Sequence, residues 1–239
     1  MSDIDAIAHT QGTIPVFARW FGSWQISVTR RALSLQELTQ RYDESADGWQ
    51  RTIDRLSFPA AYESLLRQIA GGETPSTVLD CGVGTGAMSQ ALIRVLKAPF
   101  ALTAVDVSPR MLEQAQNALQ GTNADVTVRQ ADAADLPFEN GTFDLVITAH
   151  MLEHLPDPAA ALTEMVRVLK PGGQLIACLT RRTWLGMIIH LKWRTHRVTP
   201  TQARRLLKDA GLENVVSLTF DRAPWCRRLS LACTGRKPV

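Results

Sequence analysis

Val78-Leu79-Asp80-Cys81-Gly82-Val83-Gly84-Thr85-Gly86 decides the reading of this chain. An apolar run of strand length, residues 77–81, meets three glycines at alternate positions. Residues 86–97 then read as a helix, with Met88, Leu92, Val95 and Leu96 on one face. Glycines at 82, 84 and 86 allow a tight turn and let the backbone approach a ligand closely. Glycine spacing alone leaves the ligand open, because Gly82-x-Gly84-x-x-Ala87 also satisfies the dinucleotide fingerprint. Asp80 argues against a pyrophosphate. A carboxylate beside that helix N-terminus repels an anion and tolerates a cation or a zwitterion.

Outward from this turn the chain alternates. Strand-like runs recur at 101–107, 126–129, 143–149, 175–180, 215–220 and 229–234. Ser108-Pro109, Asp157-Pro158 and Thr199-Pro200 each pair a capping side chain with proline at the first helical position. Gly121, Gly211 and Pro171-Gly172-Gly173 close or break the helices. Such alternation implies right-handed crossovers and a parallel sheet covered on both faces. The last two runs are separated by a short segment with Pro224 and no expected helix, so they must be antiparallel. The expectation is an α/β fold with a seven-stranded sheet, mostly parallel with the last strand reversed, and helices on both faces. Residues 1–70 read as a helical N-terminal extension and lid. Residues 71–239 form the main domain, with a substrate-side insertion at 181–198.

The composition suits one globular unit: 239 residues, 45% hydrophobic and 21% charged. That balance excludes wholesale disorder. The longest mostly apolar run, 184–191, is short of the roughly 18 residues a bilayer span needs. Asp3 and Asp5 open a chain without a basic-then-apolar leader, so the expected location is cytoplasmic. Cys81, Cys178, Cys226 and Cys233 are widely spaced, which suggests neither a zinc knuckle nor a disulfide framework. The net charge is only +3, yet residues 165–208 contain ten bases and no acid. Solvated helix faces explain that run, and so does a surface meeting an anionic substrate or lipid headgroups.

Asp106 ends the second strand about 20 residues after Gly86, where a carboxylate can accept from two ribose hydroxyls. Asp132 ends the third, placed to accept from an adenine amine. With these residues the chain resembles the class I S-adenosylmethionine (SAM)-dependent methyltransferases, in the branch with the ubiquinone and menaquinone biosynthesis enzymes and their small-molecule relatives. The resemblance rests on VLDCGVGTG (78–86), TAVDVSPRML (103–112), ADAADLPFENGTFDLVIT (131–148), LEHLPDP (152–158) and EMVRVLKPGGQL (164–175). It implies a Rossmann-like fold and SAM as cofactor. By resemblance Asp80 and Gly82, in the turn with Gly84 and Gly86, meet the methionine part. Asp106 meets the ribose, Asp132 and the Ala133 backbone meet the adenine, and Met111 packs on the adenine face. Arg41-Tyr42-Asp43 resembles a segment that covers the cofactor, which puts the Tyr42 hydroxyl near the cofactor carboxylate.

Methyl transfer is an in-line displacement, driven mostly by orientation. His150, just past the fourth strand, is the candidate general base, with pocket shaping as its other reading. His150, Glu153 and His154 stand at i, i+3 and i+4, but His150 replaces the first Glu of the Glu-x-x-Glu-His cluster found in metal-using relatives. No metal is assigned. Two apolar stripes at helical spacing carry tryptophan: Ile14, Phe17, Phe21 and Trp24, and Trp184, Met187, Ile188 and Leu191. They suit a lid over an apolar pocket or contact with an anionic membrane. The expected substrate is an apolar or amphipathic small molecule. A nucleic-acid or protein substrate and a catalytically silent SAM-binding subunit are the alternatives, and a nicotinamide dehydrogenase is disfavoured by Asp80 and by the segment 131–138.

Overall fold

The computed structural model describes residues 13–21, 24–31, 33–69, 74–184, 195–220 and 224–239. A hairpin of β1 (Thr13–Phe21) and β2 (Trp24–Arg31) comes first, then α1 (Leu35–Arg55) and α2 (Phe58–Arg67). The main unit runs β3 (Thr77–Cys81), α3 (Ala87–Leu96), β4 (Ala101–Asp106), α4 (Pro109–Leu119), β5 (Asp125–Gln130) and β6 (Phe143–Ala149). It continues through a 3-10 turn (Leu152–His154), α5 (Pro158–Val168), β7 (Leu169–Thr180), α6 (Pro200–Asp209), β8 (Glu213–Leu218), α7 (Pro224–Leu229) and β9 (Ser230–Arg236).

The sheet order is β5-β4-β3-β6-β7-β9-β8, and β9 runs antiparallel to both neighbours. This is the expected seven-stranded topology. Its central strands β3 and β6 and the second half of β7 are apolar on both faces. Val78 and Ile176 pack with α2 and α3, and Leu79 and Leu175 pack with α5 and α6. A parallel sheet covered on both sides needs this pattern. Helix starts follow the local caps. Ser108 Oγ accepts from the Met111 N–H at 3.1 Å, Asp157 accepts from the Ala159 and Ala160 N–H groups, and Thr199 with Gln202 completes a capping box.

Three expectations need correction. Residues 13–21 and 24–31 are not helical but pair as two antiparallel strands, Phe21 opposite Trp24. The helical stripe was read across Gly22-Ser23, a turn-like pair. On its far side Ile26, Val28 and Thr29 are β-branched and polar residues intervene, a period of two. Among the described residues the extension is helical from Leu35. Second, the connection before the last strand contains α7, with Pro224 as its first residue and Cys226 buried, its Sγ–H donating to the Leu56 carbonyl. Third, α5 ends at Val168, ahead of the break expected at Pro171-Gly172-Gly173, because Leu169 already pairs with Phe143. In the second apolar stripe, Met187, Ile188 and Leu191 lie outside the described residues, while Trp184 is exposed. Among the described residues no helix is long and apolar enough to cross a membrane.

Candidate active site

The carboxyl ends of β3, β4, β5 and β6 open into one cleft. Its first wall is the turn after β3. The Gly82 and Val83 N–H groups both donate to the Val105 carbonyl, at 2.8 and 2.9 Å, which ties the turn to β4. Gly82 has φ +80°, and a Cβ there would lie 2.5 Å from Met151 Cγ. Both conformation and space therefore demand glycine. Gly86, at φ +86°, caps α3 and faces the Ala115 backbone of α4. It serves helix packing and does not line the cleft.

The three strand-end carboxylates differ in state. Asp80 is 1% exposed; Oδ2 accepts from Ser89 Oγ–H at 2.6 Å, and Oδ1 has no partner among the described residues. Burial pushes its carboxyl up to about 7, against the Ser89 bond and with a contribution from Asp106. Asp106 is wedged between two backbone donors, Gly84 N–H at 2.9 Å and Ser108 N–H at 3.0 Å. Burial raises its carboxyl and these bonds oppose the rise. The two bonds leave it further acceptor directions toward the cleft. Asp132 accepts from the Ala134 N–H at 2.9 Å, which fixes the turn that presents Ala133.

Helix α1 forms the roof. Leu38 and Tyr42 line the cleft, and the Tyr42 ring lies 5.5 Å from that of His154. Burial raises the Tyr42 phenol well above its ordinary value, with help from the Asp106 and Glu153 carboxylates, so the hydroxyl keeps its proton. Asp43, one residue on, accepts from Ser108 Oγ–H and so clasps α1 to the start of α4.

His150 follows β6 with φ +58°, a left-handed conformation costly for a side chain of this size. Its N–H donates to the Cys178 carbonyl at 2.9 Å. Nδ1 stands 3.0 Å from Glu153 Oε1 and Nε2 stands 3.2 Å from Ser230 Oγ, while Phe58 meets the ring edge-on. Glu153 is 2% exposed, and its Oε1 also accepts from Thr180 N–H at 3.1 Å and Thr180 Oγ–H at 2.6 Å. Burial acts to raise its carboxyl, but His150, His154 and Thr180 outweigh burial and hold it below the ordinary value. Burial lowers His154 to about 4, so that ring is neutral. Glu153 turns to His150 and Thr180 while His154 packs on Tyr42. Among the described residues no group of His, Cys, Asp or Glu is gathered to hold a metal.

The cleft, about 600 Å³ including its open mouth, thus brings together Tyr42, Gly82, Gly84, Asp106, Met111, Asp132, Ala133 and His150. Of the residues expected from sequence, Asp80 and Gly86 stand behind it. Sequence reading missed Leu38, Met151 and Leu155 as walls. Only Met151 had a signal, as neighbour to His150, and nothing local tied it to Gly82. Missed too were Glu153 as a polar partner of His150 and Ser230, which lies 80 positions away.

Residues 79–177 match the family described as a methyltransferase domain. The chain is 36% identical over 207 residues to a ubiquinone biosynthesis O-methyltransferase of Xanthomonas oryzae pv. oryzae, covering 78% of this chain and 82% of that protein. It is 41% identical over 130 residues to a demethylmenaquinone methyltransferase of Lactiplantibacillus plantarum, covering 53% of this chain and 55% of the other. The match thus spans only about half the length of that second relative. Among solved structures, a Haloferax volcanii complex of the Trm112 activator with a methyltransferase superposes with a TM-score of 0.68 at 24% identity. It covers 83% of this chain and 98% of that one, a likeness of fold.

Proposed function

Because the chain belongs to the class I SAM-dependent methyltransferases, we propose that it methylates an apolar or amphipathic, quinone-like small molecule. The observation that carries this reading is the cleft at the carboxyl edge of the sheet, where glycine backbone, two carboxylates and His150 converge.

The residues fit SAM on two counts. Asp80 buries a carboxylate with an oxygen that has no partner among the described residues, and a cationic ligand part nearby compensates such a charge. At Gly84, which lines the cleft, a Cβ would meet nothing within 4 Å, so the backbone is open there to close contact. In this reading Asp106 accepts from the ribose hydroxyls, Asp132 and the Ala133 backbone hold the adenine, and Met111 covers its face. When bound, SAM supplies an electrophilic methyl group on a sulfonium. Tyr42 and Leu38 close the roof, exclude water and fix the donor side, so that orientation supplies most of the rate. His150 takes a proton from the acceptor. The acceptor class is supported by the Xanthomonas and Lactiplantibacillus relatives, named for ubiquinone biosynthesis and for demethylmenaquinone.

Calorimetry with S-adenosylhomocysteine tests the cofactor. Binding is expected, and Asp106→Ala should weaken it by roughly 1–3 kcal/mol through loss of charged hydrogen bonds. Binding of NAD in its place would sink the reading.

A further inference from the structure

Resting on the reading of this cleft as a methyltransferase site, we propose that Arg182 and Arg197 together hold an anionic group of the methyl acceptor. The acceptor is then an acidic amphiphile, an apolar body that bears a carboxylate or a phosphate.

Two guanidinium groups without a counter-charge carry the inference. Arg182 lies just past the end of β7 at Thr180. Residues 195–198 run beside that exit. Arg181 forms a parallel bridge with Val198, the Arg182 N–H donates to the Val198 carbonyl at 2.9 Å, and the Val198 N–H donates to the Thr180 carbonyl at 3.2 Å. Arg197 is thereby fixed close to Arg182. Its Nε is buried with no partner among the described residues. Burial, and then the like charge of Arg182, push its guanidinium below the ordinary value. Among the described residues no carboxylate forms an ion pair with either guanidinium, and residues 165–208 contain no acid to supply one. A solvated basic face explains an exposed arginine such as Arg182, but Arg197 is half-buried. A partly desolvated charge beside a like charge is unfavourable until an anion sits between them. The planar arginine fork matches the oxygens of a carboxylate or a phosphate, and its charge-assisted bonds are the strong ones.

The pair stands on the acceptor side. The His196 N–H donates to the Glu153 carbonyl at 2.6 Å, and the Glu153 side chain holds His150, a wall of the cleft. The strand-end residues assigned to the cofactor follow β3, β4 and β5. β7 lies beyond β6 from β3, about 10 Å away at ordinary strand spacing. An anion held past β7 belongs to the acceptor and not to the carboxylate of the cofactor.

The experiment uses the full chain, saturated with S-adenosylhomocysteine and titrated with 4-decyloxybenzoate and its neutral amide as probes. The wild type should bind the acid about tenfold tighter than the amide. Joint Arg182→Met and Arg197→Met substitution keeps bulk and removes charge. It should abolish that preference and leave amide affinity within about twofold. Arg197→Lys keeps the charge without the fork and should retain part of the preference. Arg197→Met alone should hold or raise Tm, because the charge it removes is desolvated; a lowered Tm overturns the view of Arg197 as uncompensated. Equal affinity for acid and amide in the wild type, or an equal loss of both in the double variant, overturns the proposal. So does a preference that survives the double substitution; if binding to phosphatidylglycerol vesicles is lost in that case, the pair serves lipid headgroups instead. S-adenosylhomocysteine affinity should stay within about threefold in the double variant, and its loss in step with the acid preference would give the anion to the cofactor and overturn the proposal. Failure of the wild type to bind S-adenosylhomocysteine overturns the methyltransferase reading, whereas binding without an acid preference overturns this proposal alone.

Discussion

At Asp80 a single side chain sets stability against binding. Its carboxyl rises from 3.8 to about 7 because burial disfavours the charge more than Ser89 favours it. A folded-state value above the unfolded one means that the protonated form stabilises the fold. That contribution is complete below pH 3.8 and is lost as pH rises through about 7. Three units correspond to about 4 kcal/mol. The cofactor-free protein should therefore lose stability across this window, and saturating S-adenosylmethionine, by bringing positive charge, should restore part of it at pH 8. Asp80→Asn should flatten the slope and raise Tm at pH 8 while weakening cofactor binding. Thermal scans at pH 5 and pH 8 check this, and an unchanged slope in the variant would show that Asp80 is not its source.

At the scale of elements, the turn between β3 and α3 is held from two sides. Val105 receives its N–H groups, and Met151, leading into the 3-10 turn, occupies the space above Gly82. Gly82→Ala must move Met151 and also adopt φ +80°. Each fault costs of order 1–3 kcal/mol. Denaturant unfolding should show a loss of that size, with weaker S-adenosylhomocysteine binding. Adding Met151→Ala should recover the steric share and leave the conformational share, so rescue is partial. Full rescue would mean that the backbone conformation costs nothing, and no rescue that Met151 was never in the way.

The whole molecule carries a face of tryptophan and arginine where β7 ends and β9 begins. Trp184 and Trp225 are 71% and 57% exposed. The segments carrying them are joined through Arg181 to the Arg227 carbonyl and Thr183 to the Arg228 carbonyl, and Arg228 lies over the Trp225 ring. Tryptophan among arginines suits a headgroup boundary, and an apolar acceptor would be met there. We expect co-sedimentation with anionic vesicles that weakens with salt and falls when Trp184 and Trp225 are replaced by serine. Equal binding to neutral vesicles, or none to anionic ones, would leave this face without that role.

What the sequence determined by itself was local chemistry. Ser108-Pro109, Asp157-Pro158 and Thr199-Pro200 start helices because their caps act within three residues. Strands β3 and β6 were legible end to end because a sheet covered on both faces demands unbroken apolar runs. Asp106 and Asp132 could be placed because strand ends in such a sheet share one edge. Tertiary structure decided the rest. Residues 13–31 fit a helical period as well as a strand period until pairing between β1 and β2 chose the second. Gly86 looked like part of the ligand turn until α4 was seen against it. Glu153 was legible only as one member of the i, i+3, i+4 spacing with His150 and His154 until Thr180 and Ser230 arrived from β7 and β9 to orient it and His150. A cap is satisfied by its neighbours in the chain, whereas a buried hydrogen-bond chain exists only once distant strands set its register.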